Sequence, residues 1–261
     1  MAKKIKAIIK LLNIDFGVDI ISYNDIPPGR GLGSSASFAT LLISMLLNLQ
    51  NISYDQFKVA EIAFKAEREE LKIGGGWQDQ YSAISGGFNY MEFNKLKRLV
   101  YPLKIKKEVI NELNERLMLC FVGVNHESKH MHLVQKTNFI KKEKEIAKLL
   151  NETKEIAIKI KDCLLTRNLE EMGELLHKSW LNKKRLSSSI SNQKIDAIYE
   201  LGLKSGALGG RLLGAGGGGY ILFYVLPEKR EKLKKELKKA NLETVDFQFE
   251  ENGLETWRIN S

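Results

Sequence analysis

The sequence predicts an α+β protein built of two domains. Helical patterns, in which apolar residues recur every three or four positions, alternate with short runs rich in β-branched and aromatic residues. Two glycine-rich segments, 29–33 and 209–219, each border a strongly apolar segment. Between them a Lys-rich stretch carries Pro102, and we place the domain boundary there, which gives domains 1–102 and 103–261.

The composition is that of an ordinary globular protein with an excess of lysine. The 261 residues are 43% hydrophobic and 28% charged, and the formal net charge is +9. Lysines alternate with glutamates along helical patterns, so solvated helix faces explain the charge better than a nucleic-acid surface, and an anionic substrate is compatible with it. No apolar run has membrane-spanning length and no signal-peptide core is present, so we expect a cytoplasmic protein without nucleic-acid or membrane partners.

The cysteines and histidines do not predict a metal site. Cys120 and Cys163 lie in apolar or helical patterns, and we expect both to be small buried residues without a disulfide. His126, His130 and His132 have no fourth ligand at a fixed spacing. We therefore assign the histidines to a loop or a helix surface.

The first elements lead to a glycine-rich turn. Apolar residues on one face predict a short helix over residues 3–12, and β-branched residues predict a strand over 18–23. The turn spans residues 27–36 and is followed by the almost wholly apolar run 38–49. This run predicts a buried helix, which serines at the end of the turn can cap.

The turn has the features of a phosphate-binding loop. Glycines at every second position let backbone N–H groups approach an anion without interference from a Cβ atom, and the N-terminus of the following helix favours negative charge. A dinucleotide-binding motif needs a strand directly before the turn, but a polar segment with two prolines stands there. The Gly-Lys-Ser/Thr of a P-loop is absent, and a purely structural turn rarely needs glycines and serines in this order.

Glu67 stands out on the next predicted helix. Residues 53–56 read as a capping box that opens the helix, and Glu67 falls on its apolar face, next to Ala60 and Ala63. A carboxylate on a buried face needs a partner. That partner is either an arginine, Arg30 or Arg68, or a magnesium ion beside the phosphate loop, and the sequence leaves both readings open.

Asp79 follows three consecutive glycines that end this helix. An aspartate after a glycine turn is most often a helix cap. Kinases, however, need a carboxylate that orients the attacking hydroxyl or accepts its proton. Residues 88–93 then predict a strand.

The second half predicts alternating helices and strands. Residues 117–124 and 220–226 read as strands, 187–204 and 228–240 as helices, and two or three helices lie between 126 and 186. Val245, Phe247 and Phe249 alternate as in an edge strand. We expect Lys184 to be a solvated lysine and not a phosphate ligand.

The segment from Gly31 to Ala36 resembles the second signature of the GHMP kinases, in which Gly-Leu-Gly-Ser-Ser-Ala surrounds the nucleotide phosphates. The glycines of 209–219 resemble the third signature, which closes the nucleotide site. The resemblance implies ATP and Mg²⁺ as cofactors. It assigns nucleotide binding to Gly29, Arg30, Gly31, Leu32, Gly33, Ser34, Ser35, Gly214, Gly216, Gly217 and Gly218.

The same resemblance assigns roles to three polar residues. Ala66-Glu67-Arg68 looks like the family's magnesium-binding element, Ser35 stands at its other magnesium contact, and Asp79 stands where the family has its catalytic aspartate. The sequence of residues 78–93 looks most like that of the heptose 7-phosphate kinase branch, with fucokinase domains as close neighbours. The implied function is ATP-dependent phosphorylation of a sugar hydroxyl, the anomeric one in that branch.

The implied fold has an N-terminal domain like domain 2 of ribosomal protein S5 and a ferredoxin-like C-terminal domain. Family members carry a longer stretch before the second signature, so we expect an N-terminal sheet that lacks strands, an exposed apolar helix surface and a weakened activity. A separate N-terminal fragment or a second copy of the chain would cover that surface. The alternatives are a galactokinase-like enzyme, a diphosphomevalonate decarboxylase, against which residues 78–93 argue, and a non-catalytic nucleotide-binding remnant.

Overall fold

The computed structural model describes residues 1–27, 29–123 and 143–259. The chain divides into two compact units. The first consists of Met1–Pro28, Gly33–Leu103 and Glu250–Ser261, and the second of Gly29–Leu32 and Lys104–Phe249. The division follows contacts within the chain, and the predicted domains 1–102 and 103–261 stay a prediction.

The first unit contains four α-helices and one antiparallel hairpin among its described residues. The helices are α1 (Ala2–Leu11), α2 (Ser34–Leu49), α3 (Gln56–Phe64) and α4 (Gln78–Ser85). A π-helical turn, Lys65–Glu70, continues α3 directly. Strands β1 (Asn89–Phe93) and β2 (Arg98–Pro102) pair with each other.

The core of the first unit lies where α1, α2, α3 and α4 meet. Ile8 of α1, Ile43 of α2, Ala60 of α3 and Tyr81 of α4 are each at most 2% exposed. The predicted helix after the glycine turn is confirmed, but only one face of α2 is buried. Its other face carries three exposed apolar residues at helical spacing, Leu41, Met45 and Leu49. A polypeptide that covers this face stays a prediction.

Two predictions about the first unit are wrong in detail. Residues 18–23 form no strand, because no described segment pairs with them and a lone strand leaves its backbone groups without partners. The helix caps also differ from those expected. Gly33, not a serine, is the N-cap of α2, and α3 is capped by Asp55, whose carboxylate accepts from the N–H of Phe57.

The second unit combines a four-stranded antiparallel sheet with helices. Its helices are α5 (Lys107–Arg116), α6 (Glu143–Thr166), α7 (Leu169–Leu186), α8 (Gln193–Lys204) and α9 (Pro227–Lys239). Its strands are β3 (Leu117–Gly123), β4 (Ala207–Leu212), β5 (Gly219–Val225) and β6 (Glu243–Val245). The spatial order of the strands is β4-β5-β3-β6.

The core of the second unit lies between this sheet and its helices. Phe223 and Ile221 of β5, Cys120 of β3, Trp180 of α7 and Leu233 of α9 have no exposed surface. Cys163 of α6 is also buried, so the prediction that both cysteines are buried is confirmed. The three histidines 126, 130 and 132 lie outside the described residues.

Two boundaries differ clearly from the sequence prediction, and two strands were not predicted. Helix α8 begins at Gln193 instead of 187, because the Asn192 side chain accepts from the N–H of Ile195 and caps it. Strand β6 ends at Val245, before the two phenylalanines expected to continue it. Strands β2 and β4 were not predicted, since β2 lies in the Lys-rich stretch and ends in Pro102, and β4 contains two glycines. No helix in the described part of the chain is long and apolar enough to cross a membrane; the cytoplasmic location stays a prediction.

The contact between α8 and β5 leads to a test of the second unit's core. A Cβ atom on Gly202 of α8 would lie 2.6 Å from Cζ of Phe223, whose ring is fully buried. We expect Gly202→Ala to lower the free energy of unfolding by about 1–3 kcal/mol, as overpacked cores do. Gly17→Ala is the control, because nothing lies within 4 Å of a Cβ there, and it should stay within about 0.5 kcal/mol of the wild type. Equal denaturant midpoints for the two variants would contradict this packing.

Candidate functional site

The glycine-rich turn and the second glycine-rich segment touch through their backbones in the second unit. Gly29 and Gly31 both have positive φ, a conformation that favours glycine. A Cβ atom on Gly214 would lie 2.7 Å from Cα of Gly31, and one on Gly219 would lie 2.5 Å from the carbonyl oxygen of Arg30. Side chains at these positions would push the two segments apart, so the glycines are needed for the approach itself.

The side chain of Arg30 anchors the turn to the sheet. Its Nη1 donates to the Tyr220 hydroxyl at 2.9 Å, and the guanidinium lies 4.4 Å from the centre of the Phe121 ring. Arg30 was one of the two arginine partners expected for Glu67, and it therefore does not pair with that residue. Its buried Nε has no hydrogen-bond partner among the described residues and remains a donor for an anion.

Lys183 holds the far side of the second glycine-rich segment. Its Nζ donates to the carbonyl oxygens of Leu212 at 2.8 Å and Gly214 at 2.7 Å, and the residue is 8% exposed. Burial, with a smaller contribution from the charge of Arg211, lowers the pKa of Lys183 from 10.5 to about 7. The neighbouring Lys184 instead pairs with Asp196 at 3.0 Å.

The remaining glycines of the segment pack against the loop before α8. The N–H of Gly217 donates to the Ile190 carbonyl at 2.8 Å, and a Cβ on Gly216 would lie 2.9 Å from Cα of Ile190. Gly218 is half-buried next to the start of β5. The predicted nucleotide-binding residues that belong to the second unit, in which Gly31 approaches Gly214, are Gly29, Arg30, Gly31, Leu32, Gly214, Gly216, Gly217 and Gly218.

The first unit contains the rest of the glycine-rich turn. Gly33 has a φ of +76° and is the N-cap of α2, so the serines that follow occupy the first turn of the helix. Ser34 is half-buried and Ser35 is exposed. The unpaired N–H groups of such a first turn favour an anion.

Glu67 forms a buried cluster with residues from three other elements. Only 1% of its surface is exposed, which confirms that it lies on the buried face. Its Oε1 accepts from Lys4 Nζ at 2.5 Å and from Ser35 Oγ at 2.7 Å, and its Oε2 accepts from Gln80 Nε2 at 2.5 Å. Burial acts to raise the pKa of Glu67. The hydrogen bond and the charge of Lys4, together with the hydrogen bonds of Ser35 and Gln80, outweigh burial and lower the pKa below its ordinary value.

The π-helical turn determines where Glu67 and Arg68 point. The N–H of Leu71 bonds to the carbonyl of Ala66, five residues back, and such turns are frequent at functional sites. Arg68 Nη1 lies 3.9 Å from Glu67 Oε2, while its Nη2 donates to the Gly76 carbonyl at 3.2 Å. The ion-pair reading of Glu67 was therefore partly right, but the close partner is Lys4.

Asp79 lies in the first turn of α4 and is exposed. Trp77, not Asp79, is the N-cap of this helix, and Gln78 Nε2 lies 3.4 Å from the Asp79 carboxylate. Trp77 is held by stacking on Phe64 at 3.4 Å and by the Arg98 guanidinium at 4.0 Å. The start of α4 is thus fixed by aromatic contacts, and Asp79 presents its carboxylate to solvent.

The residues present fit a nucleotide phosphate and a hard cation. In the second unit, glycines that exclude Cβ atoms and the orphaned Nε of Arg30 are features that an anion needs. In the first unit, the N-terminus of α2 is such a feature. Ser35 and Glu67 supply hydroxyl and carboxylate oxygens 2.7 Å apart, the donor set that Mg²⁺ prefers. Buried Gln80 Oε1 has no partner among the described residues and adds an unused acceptor to the group around Glu67.

Sequence reasoning missed three residues of these clusters. Lys4 and Gln80 contact Glu67 from α1 and α4, and Lys183 holds the second glycine-rich segment from α7. The helical pattern does place Lys4 on the face of Ile8, one turn away, and that signal could have marked it as a buried lysine. The same spacing places Gln80 one turn before buried Ile84 and Lys183 one turn after buried Trp180, so it could have marked these two as well.

Family models and relatives match most of the chain. The model of the GHMP kinases N terminal domain matches residues 2–87, and that of the GHMP kinases C terminal domain matches 160–243. The D-glycero-alpha-D-manno-heptose 7-phosphate kinase of Campylobacter jejuni is 37% identical over 239 residues, which are 91% of this chain and 70% of that protein. A bifunctional fucokinase/GDP-fucose pyrophosphorylase of Arabidopsis thaliana is 27% identical over 88% of this chain and 22% of its own length.

Known structures agree with these matches. A D-glycero-D-manno-heptose 1-phosphate kinase from Bacteroides thetaiotaomicron superposes with a TM-score of 0.74 and 28% identity over 100% of this chain and 76% of that one. The chain belongs to the GHMP kinase family, whose members are ATP-dependent phosphotransferases. The predicted family and its mixed helix-and-sheet fold are confirmed.

The pKa of Lys183 gives a pH test of the second unit. The folded chain releases this proton near pH 7, whereas an unfolded lysine holds it to about pH 10.4. Stability therefore rises with pH across this interval, by at most about 1.4 kcal/mol per pH unit, and is lost again as the pH falls towards 7. We expect Lys183→Met to remove this part of the slope in denaturant unfolding measured from pH 6.5 to 9.5.

Lys178→Met is the matched control, because Lys178 lies on the same helix and is exposed. It should keep the wild-type slope. If Lys183→Met and Lys178→Met have the same pH slope, then Lys183 is protonated and solvated in the folded chain.

Proposed function

We propose that this chain transfers the γ-phosphate of ATP to the anomeric hydroxyl of a heptose 7-phosphate. The observation that carries the choice of sugar is the 37% identity to a heptose 7-phosphate kinase across 91% of the chain. A phosphorylated sugar also suits the net charge of +9. Fucose and galactose are the competing substrates, because enzymes named for them match over most of the chain at lower identity.

In this proposal each glycine segment has a definite role. Backbone N–H groups of Gly29 to Ser35 and of Gly214, Gly216 and Gly218 bind the nucleotide phosphates, while the N–H of Gly217 fixes the second segment by donating to Ile190. Arg30 holds the turn in place. Ser35 and Glu67 hold Mg²⁺, which when bound neutralises charge on the phosphates. The close backbone approach at Gly31 and Gly214 supports a pre-formed cradle, which raises rate by positioning.

Asp79 acts on the sugar in this proposal. Its carboxylate accepts a hydrogen bond from the attacking hydroxyl and takes its proton as the new oxygen–phosphorus bond forms and the bond to ADP breaks. Its exposure at the start of α4 supports this, because a carboxylate that acts on a substrate has to be reachable. The stacked Trp77 and Phe64 keep it in one place.

The substrate assignment is tested by assaying the purified chain with MgATP and a sugar panel. ADP release is measured with heptose 7-phosphate, unphosphorylated heptose, fucose and galactose, and the product is examined by phosphorus NMR. We expect heptose 7-phosphate to give the highest kcat/KM and a product whose phosphorus couples to the anomeric proton. A higher kcat/KM for fucose or galactose would reassign the substrate, and ATP binding without any sugar-dependent turnover would indicate a non-catalytic binding protein.

The role of Asp79 is tested by Asp79→Asn. We expect ATP affinity to stay within a factor of about 2 while kcat falls by at least ~10²-fold, the lower scale for an acid–base group. Asp19→Asn, the same change at an exposed aspartate, should leave kcat unchanged. Near-normal turnover by Asp79→Asn would remove Asp79 from the mechanism.

A further inference from the structure

The ammonium group of Lys4 occupies the position where the oxygens of the candidate metal site converge. Nζ donates to the carbonyl oxygen of Ser35 at 2.8 Å, to Ser35 Oγ, and to Glu67 Oε1 at 2.5 Å. These are three acceptors for the three N–H bonds of one ammonium. Lys4 is 9% exposed, so the residue is largely buried.

The acceptor capacity of these oxygens is largely used by Lys4. Glu67 Oε1 accepts from both Lys4 and Ser35, which fills its two lone-pair positions. The Ser35 hydroxyl donates a hydrogen bond to Glu67 and accepts one from Lys4. A divalent cation bonded to Ser35 Oγ and Glu67 Oε1 would need lone pairs that Lys4 now holds, and it would place a second positive charge beside the ammonium.

Helix α1 can release this ammonium without leaving its place. Ile8, one turn after Lys4 on the same face, is fully buried in the first unit's core and anchors the helix. The four-carbon stem of lysine lets Nζ move while its Cα stays fixed. Ser35 is exposed, so the cluster is open to solvent on that side.

We propose that Lys4 is a built-in counter-ion of Glu67 that competes with Mg²⁺ for the same oxygens, so that metal loading requires the ammonium to swing out. This inference rests on the proposed magnesium role of Ser35 and Glu67. Without metal, Lys4 neutralises a buried carboxylate that would otherwise be costly. With metal, the cation takes over that neutralisation and Lys4 becomes solvated.

The first experiment follows Lys4 in the unaltered chain. The nucleotide-free protein is pulsed with acetic anhydride at increasing Mg²⁺ concentration, and acetylation of each lysine is read by mass spectrometry. We expect Lys4 to be protected without Mg²⁺ and to become acetylated as Mg²⁺ rises. The exposed Lys6 of the same helix should react equally throughout. Protection of Lys4 that is unchanged at saturating Mg²⁺ would overturn the proposal.

The second experiment measures metal affinity directly, with Mn²⁺ as an electron paramagnetic resonance probe and no nucleotide. Lys4→Met should bind Mn²⁺ at least about tenfold more tightly than the wild type, the change expected when one close like charge is removed. Lys6→Met, the control on α1, should bind as the wild type does. The melting temperature of Lys4→Met should also rise more with Mg²⁺ than that of Lys6→Met, since metal then supplies the missing counter-charge.

Glu67→Gln separates failure of this inference from failure of the metal assignment. If Glu67→Gln weakens Mn²⁺ binding but Lys4→Met binds no more tightly than the wild type, Lys4 is not a competitor and the metal role of Glu67 stands. If Glu67→Gln binds Mn²⁺ as the wild type does, Glu67 is no ligand, and both ideas fail. If Lys4→Met does not fold, the acetylation result on the wild type alone decides.

Discussion

The buried carboxylate of Glu67 is the constraint around which the described helices of the first unit are arranged. An ionised group with 1% of its surface exposed has to be neutralised and hydrogen-bonded. Three elements meet this need, because Lys4 comes from α1, Ser35 from the first turn of α2 and Gln80 from α4. Replacing a buried ion pair by apolar residues is often neutral or stabilising, so stability alone does not explain a glutamate here. This argument supports the proposed role of Glu67 as a metal ligand.

The second unit is organised around a different constraint, the close approach of two backbones. Gly31 and Gly214 come so near each other that a Cβ atom on either would touch the backbone of the other segment. Glycines have no side chains, so the two segments offer each other little apolar surface that could hold them together. The turn is therefore held by a side chain, Arg30, whose guanidinium bonds to Tyr220 and lies on Phe121.

The sequence predicted features that depend on neighbours in the chain. The glycine-rich turn and the burial of Glu67 follow from local composition and from helical spacing, and the structure has both. It did not predict pairings between distant residues. Lys4 and Glu67 are 63 positions apart and Lys183 and Leu212 are 29 apart, so no periodic pattern connects them. For residues 18–23 the local pattern predicted a strand that the structure lacks, because β-branched composition favours a strand only where a partner strand is present.

The two unpredicted lysines share a physical role, because each donates to a backbone carbonyl in or beside a glycine-rich segment. Lys4 donates to the carbonyl of Ser35, and Lys183 donates to the carbonyls of Leu212 and Gly214. A lysine suits this position because one nitrogen on a flexible stem can reach several carbonyls at once. The difference between the two lies in their surroundings. Lys183 donates to two carbonyl oxygens and lies near the charge of Arg211, and its burial lowers its pKa to about 7. Lys4 faces the Glu67 carboxylate as well, and a charged partner of this kind is one that another cation can displace.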